Sequence, residues 1–177
     1  MKGNSMHMSA FVIDDDKSIT RFFGDIIRKM DKDVDVHIFN NSTEARDALD
    51  EGRPNVVILD LNMPGINGCE ILSKNVTEGT VTLVFTGIDL TPEKESELIY
   101  SGATWVIHKP APVRQVQAYI WRAFKQAESL QLLMRATKLT GSVRQRMKRA
   151  LINLKNTTSS DGTRILSKES EHAHVAT

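Results

Sequence analysis

Short apolar runs alternate with helix-periodic stretches along the first two thirds of the chain. Ala10-Phe11-Val12-Ile13 is an apolar run that stops at three aspartates. Ile19, Phe22, Phe23, Ile26, Ile27 and Met30 then recur at helical spacing, which predicts one apolar helix face. Val34, Val36 and Ile38 alternate as a strand does, and Ser42-Thr43 are expected to cap a helix carrying Ala45, Ala48 and Leu49. Val56-Val57-Ile58-Leu59 is apolar on both faces and ends at Asp60, the pattern of a strand in the middle of a covered parallel sheet. Val81 to Phe85 repeats it and ends at Thr86. Pro92 opens a helix through Leu98 and Ile99, Trp105-Val106-Ile107 is a fifth strand ending at Lys109-Pro110, and a last helix starts near Pro112. Five strand–helix units in about 115 residues predict an α/β domain with a doubly wound five-stranded parallel sheet.

The last helix runs past the point where such a domain could end. Val113, Ile120, Ala127 and Met134 are spaced by seven, as are Val116, Ala123 and Leu130. This predicts an a/d-like seam of about three heptads, weakened by its alanines. Its first half can pack on the sheet, and the part past Phe124 is expected to need another partner. That partner is a second chain or the next helix folding back. Thr140-Gly141-Ser142 then breaks the pattern. Val143, Met147, Ala150, Leu151 and Leu154 form a further stripe ringed by Arg144, Arg146, Lys148, Arg149 and Lys155. The expected organisation is a flexible 1–9, a domain over 10–125, a helical extension over 126–155 and a disordered polar tail over 156–177.

Charge sharpens this division. The 177 residues carry a formal net charge of +1. Residues 1–124 hold 13 Lys and Arg against 18 Asp and Glu, and residues 125–177 hold 10 against 4. An acidic first part with a basic tail suggests different partners for the two. No apolar run approaches the roughly 18 residues of a membrane span. Met1 to Ser9 is polar, with no secretory signal. Cys69 is the single cysteine, which excludes an intramolecular disulfide and a multi-cysteine zinc site. A cytoplasmic location is the expectation.

In open α/β sheets functional groups gather beyond the carboxyl ends of the strands. Here those positions hold Asp14-Asp15-Asp16, Asp60, Thr86 and Lys109. Carboxylates brought together at strand ends repel one another, and a hard divalent cation such as Mg²⁺ relieves the repulsion. Lys109 and the Thr86 hydroxyl complete a pocket suited to a doubly charged phosphoryl group. One carboxylate can then serve as nucleophile and form an aspartyl phosphate. Asp60 is the best candidate, because it closes a central strand before the sharp Asn62-Met63-Pro64-Gly65 loop.

The segments Phe11 to Asp16, Val57 to Gly68, Val84-Phe85-Thr86-Gly87, and Gly102-Ala103 followed by Lys109-Pro110 resemble the response-regulator receiver domain of two-component signalling. The resemblance covers roughly residues 8–125. It implies a flavodoxin-like receiver that takes a phosphoryl group on Asp60 from a sensor histidine kinase or phosphotransfer protein, in a Mg²⁺-dependent reaction. It implies that Asp14 and Asp15 are the acidic pair, with Asp15 the more direct metal ligand. It makes the Asn62 main-chain carbonyl a ligand, Thr86 the switch hydroxyl and Lys109 the phosphate's partner. Asp16 is not assigned to the metal. Receivers usually place Tyr or Phe three residues before the pocket lysine, and here that residue is Val106. Trp105 is adjacent but on the opposite strand face. Gly87, where Ala is common, leaves room beside the phosphate.

The expected output is protein contact or self-association through the last two strands and helices and the extension. Enzyme activity beyond self-phosphorylation and autodephosphorylation is not expected. Two other classes compete. A regulator could bind DNA through the basic residues 144–149, although no recognisable motif accompanies them. A haloacid-dehalogenase-like phosphatase could use Asp14 in Asp14-Asp15-Asp16-Lys17-Ser18. That scheme leaves Asp60 idle and lacks acidic residues between Pro110 and Arg122. His108, His172 and His174 have no partner ligands in the sequence pattern, and Cys69 reads as a small, partly buried residue.

Overall fold

The computed structural model describes residues 7–74, 76, 77 and 79–136. Five strands and five helices alternate. They are β1 (Ser9–Ile13), α1 (Lys17–Met30), β2 (Asp35–Phe39), α2 (Ser42–Glu51), β3 (Val56–Leu59), α3 (Gly68–Lys74), β4 (Val81–Thr86), α4 (Pro92–Tyr100), β5 (Trp105–His108) and α5 (Val113–Ala136). The strands lie in the order β2-β1-β3-β4-β5 and every neighbouring pair is parallel. This is the doubly wound five-stranded sheet that the alternation predicts.

Strand alternation divides the core between the two faces. Ala10 and Val12, Val56 and Ile58, and Leu83 and Phe85 face one way, where Phe23 and Ile27 of α1 and Val116, Ile120 and Ala123 of α5 cover them. Phe11 and Ile13, Val57 and Leu59, and Val84 face the other way, under Ala45, Leu49, Ile71, Leu72 and Leu98. Each fully buried aliphatic or aromatic side chain contributes roughly 1.5–3 kcal/mol, so β1, β3 and β4 form the rigid centre. The edge strand β2 is far more open: Ile38 is 37% exposed.

Several local expectations shift by a residue or a turn. Met8 is buried and β1 begins at Ser9, so these two residues of the segment expected to be flexible belong to the fold. Asn41, not Ser42-Thr43, caps α2, its side-chain oxygen accepting from the Thr43 N–H at 2.8 Å and the Glu44 N–H at 3.2 Å. Asn caps as well as Ser does, and it stands one residue earlier. Along α5 the buried positions are Val116, Ile120, Ala123 and Ala127, whereas Val113 and Met134 are exposed. An α-helix has 3.6 residues per turn, so a row spaced by seven drifts about 20° per heptad and leaves the contact at both ends. The expected need for a partner past Phe124 begins later, since Ala127 is fully buried and Leu130 packs against the same core cluster. This compact unit ends at Leu132, inside α5. The Thr140-Gly141-Ser142 break, the 143–154 stripe and its basic residues, the tail, His172 and His174 lie outside the described residues. No described helix is long and apolar enough to cross a membrane.

Candidate functional site

The strand order reverses beside β1, whose neighbours are β2 and β3. That reversal opens a crevice at the carboxyl ends of β1 and β3, where ligands bind in such sheets. Asp14 follows β1 and Asp60 follows β3; both are buried, and Asp15 is exposed at the rim. One carboxylate oxygen from each of the three lies within 4.8 Å of the others. Lys109 reaches in from the residue after β5, its Nζ 2.7 Å from Asp14 Oδ2 and 3.4 Å from Asp60 Oδ2. Thr86 ends β4, fully buried, and its hydroxyl accepts the Ile88 N–H at 3.2 Å. Asn62 lies exposed in the loop after Asp60. The structure therefore gathers the three carboxylates and the lysine into one cluster at the same end of the sheet as Thr86.

Burial pushes the Asp14 carboxyl above its ordinary range, against the pull of the Lys109 ammonium and the Asp16 N–H, and the Asp60 carboxylate adds to the rise. One ammonium therefore faces three carboxylates, two of them buried. The donor set is all oxygen and carries excess negative charge, which suits a hard divalent cation. Asp16 has another task. It caps α1, its carboxylate accepting from the Ser18 N–H at 2.7 Å and the Ser18 hydroxyl at 2.6 Å, bonds that hold its carboxyl below the ordinary range.

Three further residues support the cluster. The Asn40 amide donates to the Asp14 carbonyl at 2.7 Å and to the Thr20 hydroxyl at 2.9 Å, fixing the chain at the acidic turn. The Ser42 hydroxyl donates to the Pro64 carbonyl at 2.8 Å and accepts the Ile66 N–H at 2.9 Å, holding the loop after Asp60. Gly68 starts α3 against that loop, where a β-carbon would collide with the Asp60 carbonyl oxygen and lie 2.5 Å from Leu61 Cα. Asn and Ser beside a helix start signal capping, but nothing local tells which distant loop they tie.

Around the pocket, Val106 faces the side of Val84 and Leu98, while Trp105 packs on the other side with Tyr119 at 6.0 Å between ring centroids, as strand alternation requires. A β-carbon at Gly87 would sit 4.0 Å from the Lys109 side chain, an ordinary contact, so the extra room there is that of one methyl group. Cys69 is partly buried and forms no disulfide. His108 is half exposed and contacts Glu95.

The family model of the response regulator receiver domain matches residues 10–120. The chain belongs to that family. This receiver is 33% identical over 93 residues to the uncharacterized transcriptional regulatory protein YkoG of Bacillus subtilis, covering 51% of this chain and 40% of that protein. It is 26% identical over 117 residues to the DNA-binding response regulator MtrA of Mycobacterium tuberculosis, covering 66% and 50%. The receiver thus spans about half or less of the length of these curated relatives. Among solved structures it resembles a CheY-like receiver domain protein from Methanospirillum hungatei, with a TM-score of 0.63, 21% identity and coverage of 70% and 98%. It also resembles the signal receiver domain of a DNA-binding response regulator from Colwellia psychrerythraea, with a TM-score of 0.59, 26% identity and coverage of 67% and 98%. The chain is thus a response-regulator receiver with a five-stranded parallel sheet.

Proposed function

We propose that the receiver accepts a phosphoryl group on Asp60 from the phosphohistidine of a sensor histidine kinase or phosphotransfer protein. The observation that carries this reading is the convergence of three carboxylate oxygens within 4.8 Å beside the Lys109 ammonium. The Leu61 N–H donates to Asp60 Oδ1 at 2.9 Å and so fixes the carboxylate, leaving Oδ2 toward Lys109 as the attacking oxygen. In the transfer an Oδ2–P bond forms as the donor's N–P bond breaks, and the imidazole leaves with the electron pair. Lys109 then moves from Asp14 onto a phosphoryl oxygen, because transfer raises the charge at Asp60 to about −2. Thr86 offers its hydroxyl to a second phosphoryl oxygen. Asp14, Asp15, Asp60 and the Asn62 main-chain carbonyl are the groups that would hold Mg²⁺. The ion would supply charge neutralisation during phosphoryl transfer.

The phosphoryl charge is useful only if it shifts an equilibrium between two surfaces. Moving a population from about 1:99 to 99:1 requires about 5.5 kcal/mol of differential stabilisation. The output is contact with another protein or a second copy through α4, β5 and α5. DNA binding by the basic stretch after α5 is the alternative, favoured by the DNA-binding relatives; salt-sensitive retention of the whole chain on DNA would support it. Incubation with acetyl phosphate and Mg²⁺ should add one phosphoryl mass to the wild-type chain and none to Asp60→Asn. Label retained in that variant would refute the assignment.

A further inference from the structure

We propose that the contact between His108 and Glu95 is a proton-sensitive latch joining the phosphorylation pocket to α4, with His108 a positioning residue for the switch. His108 closes β5 and is the register partner of Thr86 across the β4–β5 ladder. The next residue is Lys109, whose N–H donates to the Thr86 carbonyl at 2.7 Å. From this point the imidazole reaches outward, its Nε2 2.6 Å from Glu95 Oε1 in the first turn of α4.

Little else holds that end of α4. Leu98, near its far end, is its one buried side chain. The other side-chain bonds of α4 are local: Thr91 caps Lys94, Lys94 pairs with Glu97, and Ser96 donates to Pro92. Among the described residues, the His108 contact is the sole hydrogen bond from an α4 side chain to another element. The imidazole lies between charges on two sides. From α4 comes Glu95, on the helix that also carries the Lys94–Glu97 pair, and next along its own chain comes Lys109, held between Asp14 and Asp60. From β4 it meets Thr86, which is uncharged.

An imidazole gains its charge across roughly pH 8 to 5. The protonated ring turns a hydrogen bond to a carboxylate into an ion pair, which adds the modest attraction of an exposed pair. The resting latch therefore tightens as pH falls. Its part in switching rests on the phosphoacceptor reading. When Lys109 is drawn from Asp14 toward a phosphorylated Asp60, the strand end moves, and the latch restrains α4 from leaving it.

Hydrogen exchange of the α4 amides in the full-length chain, corrected for intrinsic rates, tests the latch at pH 6 and pH 8. In the resting wild-type protein opening should be about two- to fivefold rarer at pH 6, the span of an exposed ion pair. His108→Gln and Glu95→Gln should open readily at both values, and His108→Lys, a permanent cation, should stay closed at both. A His108→Gln variant that keeps the wild-type pH profile overturns the latch. A second arm adds beryllofluoride and Mg²⁺ as the aspartyl phosphate mimic. It should accelerate α4 exchange more at pH 8 than at pH 6 in the wild type, and equally at both in His108→Gln. Acceleration independent of pH in the wild type would remove the latch from the switch. No response to the mimic in any protein would instead overturn the phosphoacceptor reading, while the resting pH comparison still judges the latch.

Discussion

Asp14 shows how the pocket is held out of balance. It is buried beside a second carboxylate, and its single cation is shared. Its carboxyl sits above the ordinary range because burial disfavours the charged form. In the metal-free protein the native state therefore binds a proton that the unfolded chain has already lost. Stability from this group is full below its unfolded value of about 3.8 and falls as pH rises through the higher folded value. Mg²⁺ reverses the trend, since binding requires the charged form. A ligand that binds only the native state adds about 2.7 kcal/mol at a hundred times its dissociation constant. Thermal melts with chelator and with saturating Mg²⁺ should therefore differ more at pH 8 than at pH 5. An equal Mg²⁺ gain at both values would show that Asp14 does not hold the ion. The charged and hydroxyl residues of this cluster were legible because each stands at or just past the carboxyl end of a strand. Asn40, which fixes the Asp14 turn, was not, because its partners lie 20 and 26 residues away and no local pattern names them.

The elements show the same division between local and distant information. Central strands are apolar on both faces and read unambiguously, and the face of α1 follows from helical spacing. The caps were only partly legible: Ser42-Thr43 were expected to cap α2, and Asn41 does so instead. Ser42 is thereby free to brace the loop that carries Asn62, a task set by the packing of α2 against that loop. Gly68 makes the sharper case. No local pattern singles it out, and the structure makes it the point where α3 touches the backbone of Asp60 and Leu61. Neither backbone atom can move without shifting the nucleophile. Gly68→Ala should cost on the order of 1–3 kcal/mol by overpacking. The phosphorylation rate with acetyl phosphate should also fall, whereas Gly87→Ala, with 4.0 Å of clearance, should leave stability unchanged. Chemical denaturation and a labelling time course would check both. A Gly68→Ala protein with wild-type stability and rate would mean that the loop yields freely.

At the scale of the whole molecule, the open question is where the receiver ends. A pattern spaced by seven suggested a seam that leaves the sheet near Phe124, because periodicity records which residues are apolar and not which surface they meet. Packing carries α5 about two turns further, since Ala127 is fully buried among residues of the first core face and Leu130 rests against it. Met30, Val34 and Met8 line a groove there with Trp121, Phe124, Lys125 and Glu128, so the start of β1, the end of α1 and the middle of α5 share one surface. Cutting the chain after residue 124 removes Ala127 and Leu130 from that core and uncovers the apolar groups beneath them. Two side chains of this size are worth on the order of 2–3 kcal/mol. A chain ending at 124 should therefore unfold at lower denaturant than one ending at 136, with its spectroscopic signature of α/β structure intact. Equal midpoints for the two would mean that the second half of α5 adds nothing to the receiver and serves only the segment beyond residue 136. A lower midpoint would place the boundary of the folded receiver beyond Phe124, so that the surface offered by α5 to a partner includes residues the core has already fixed.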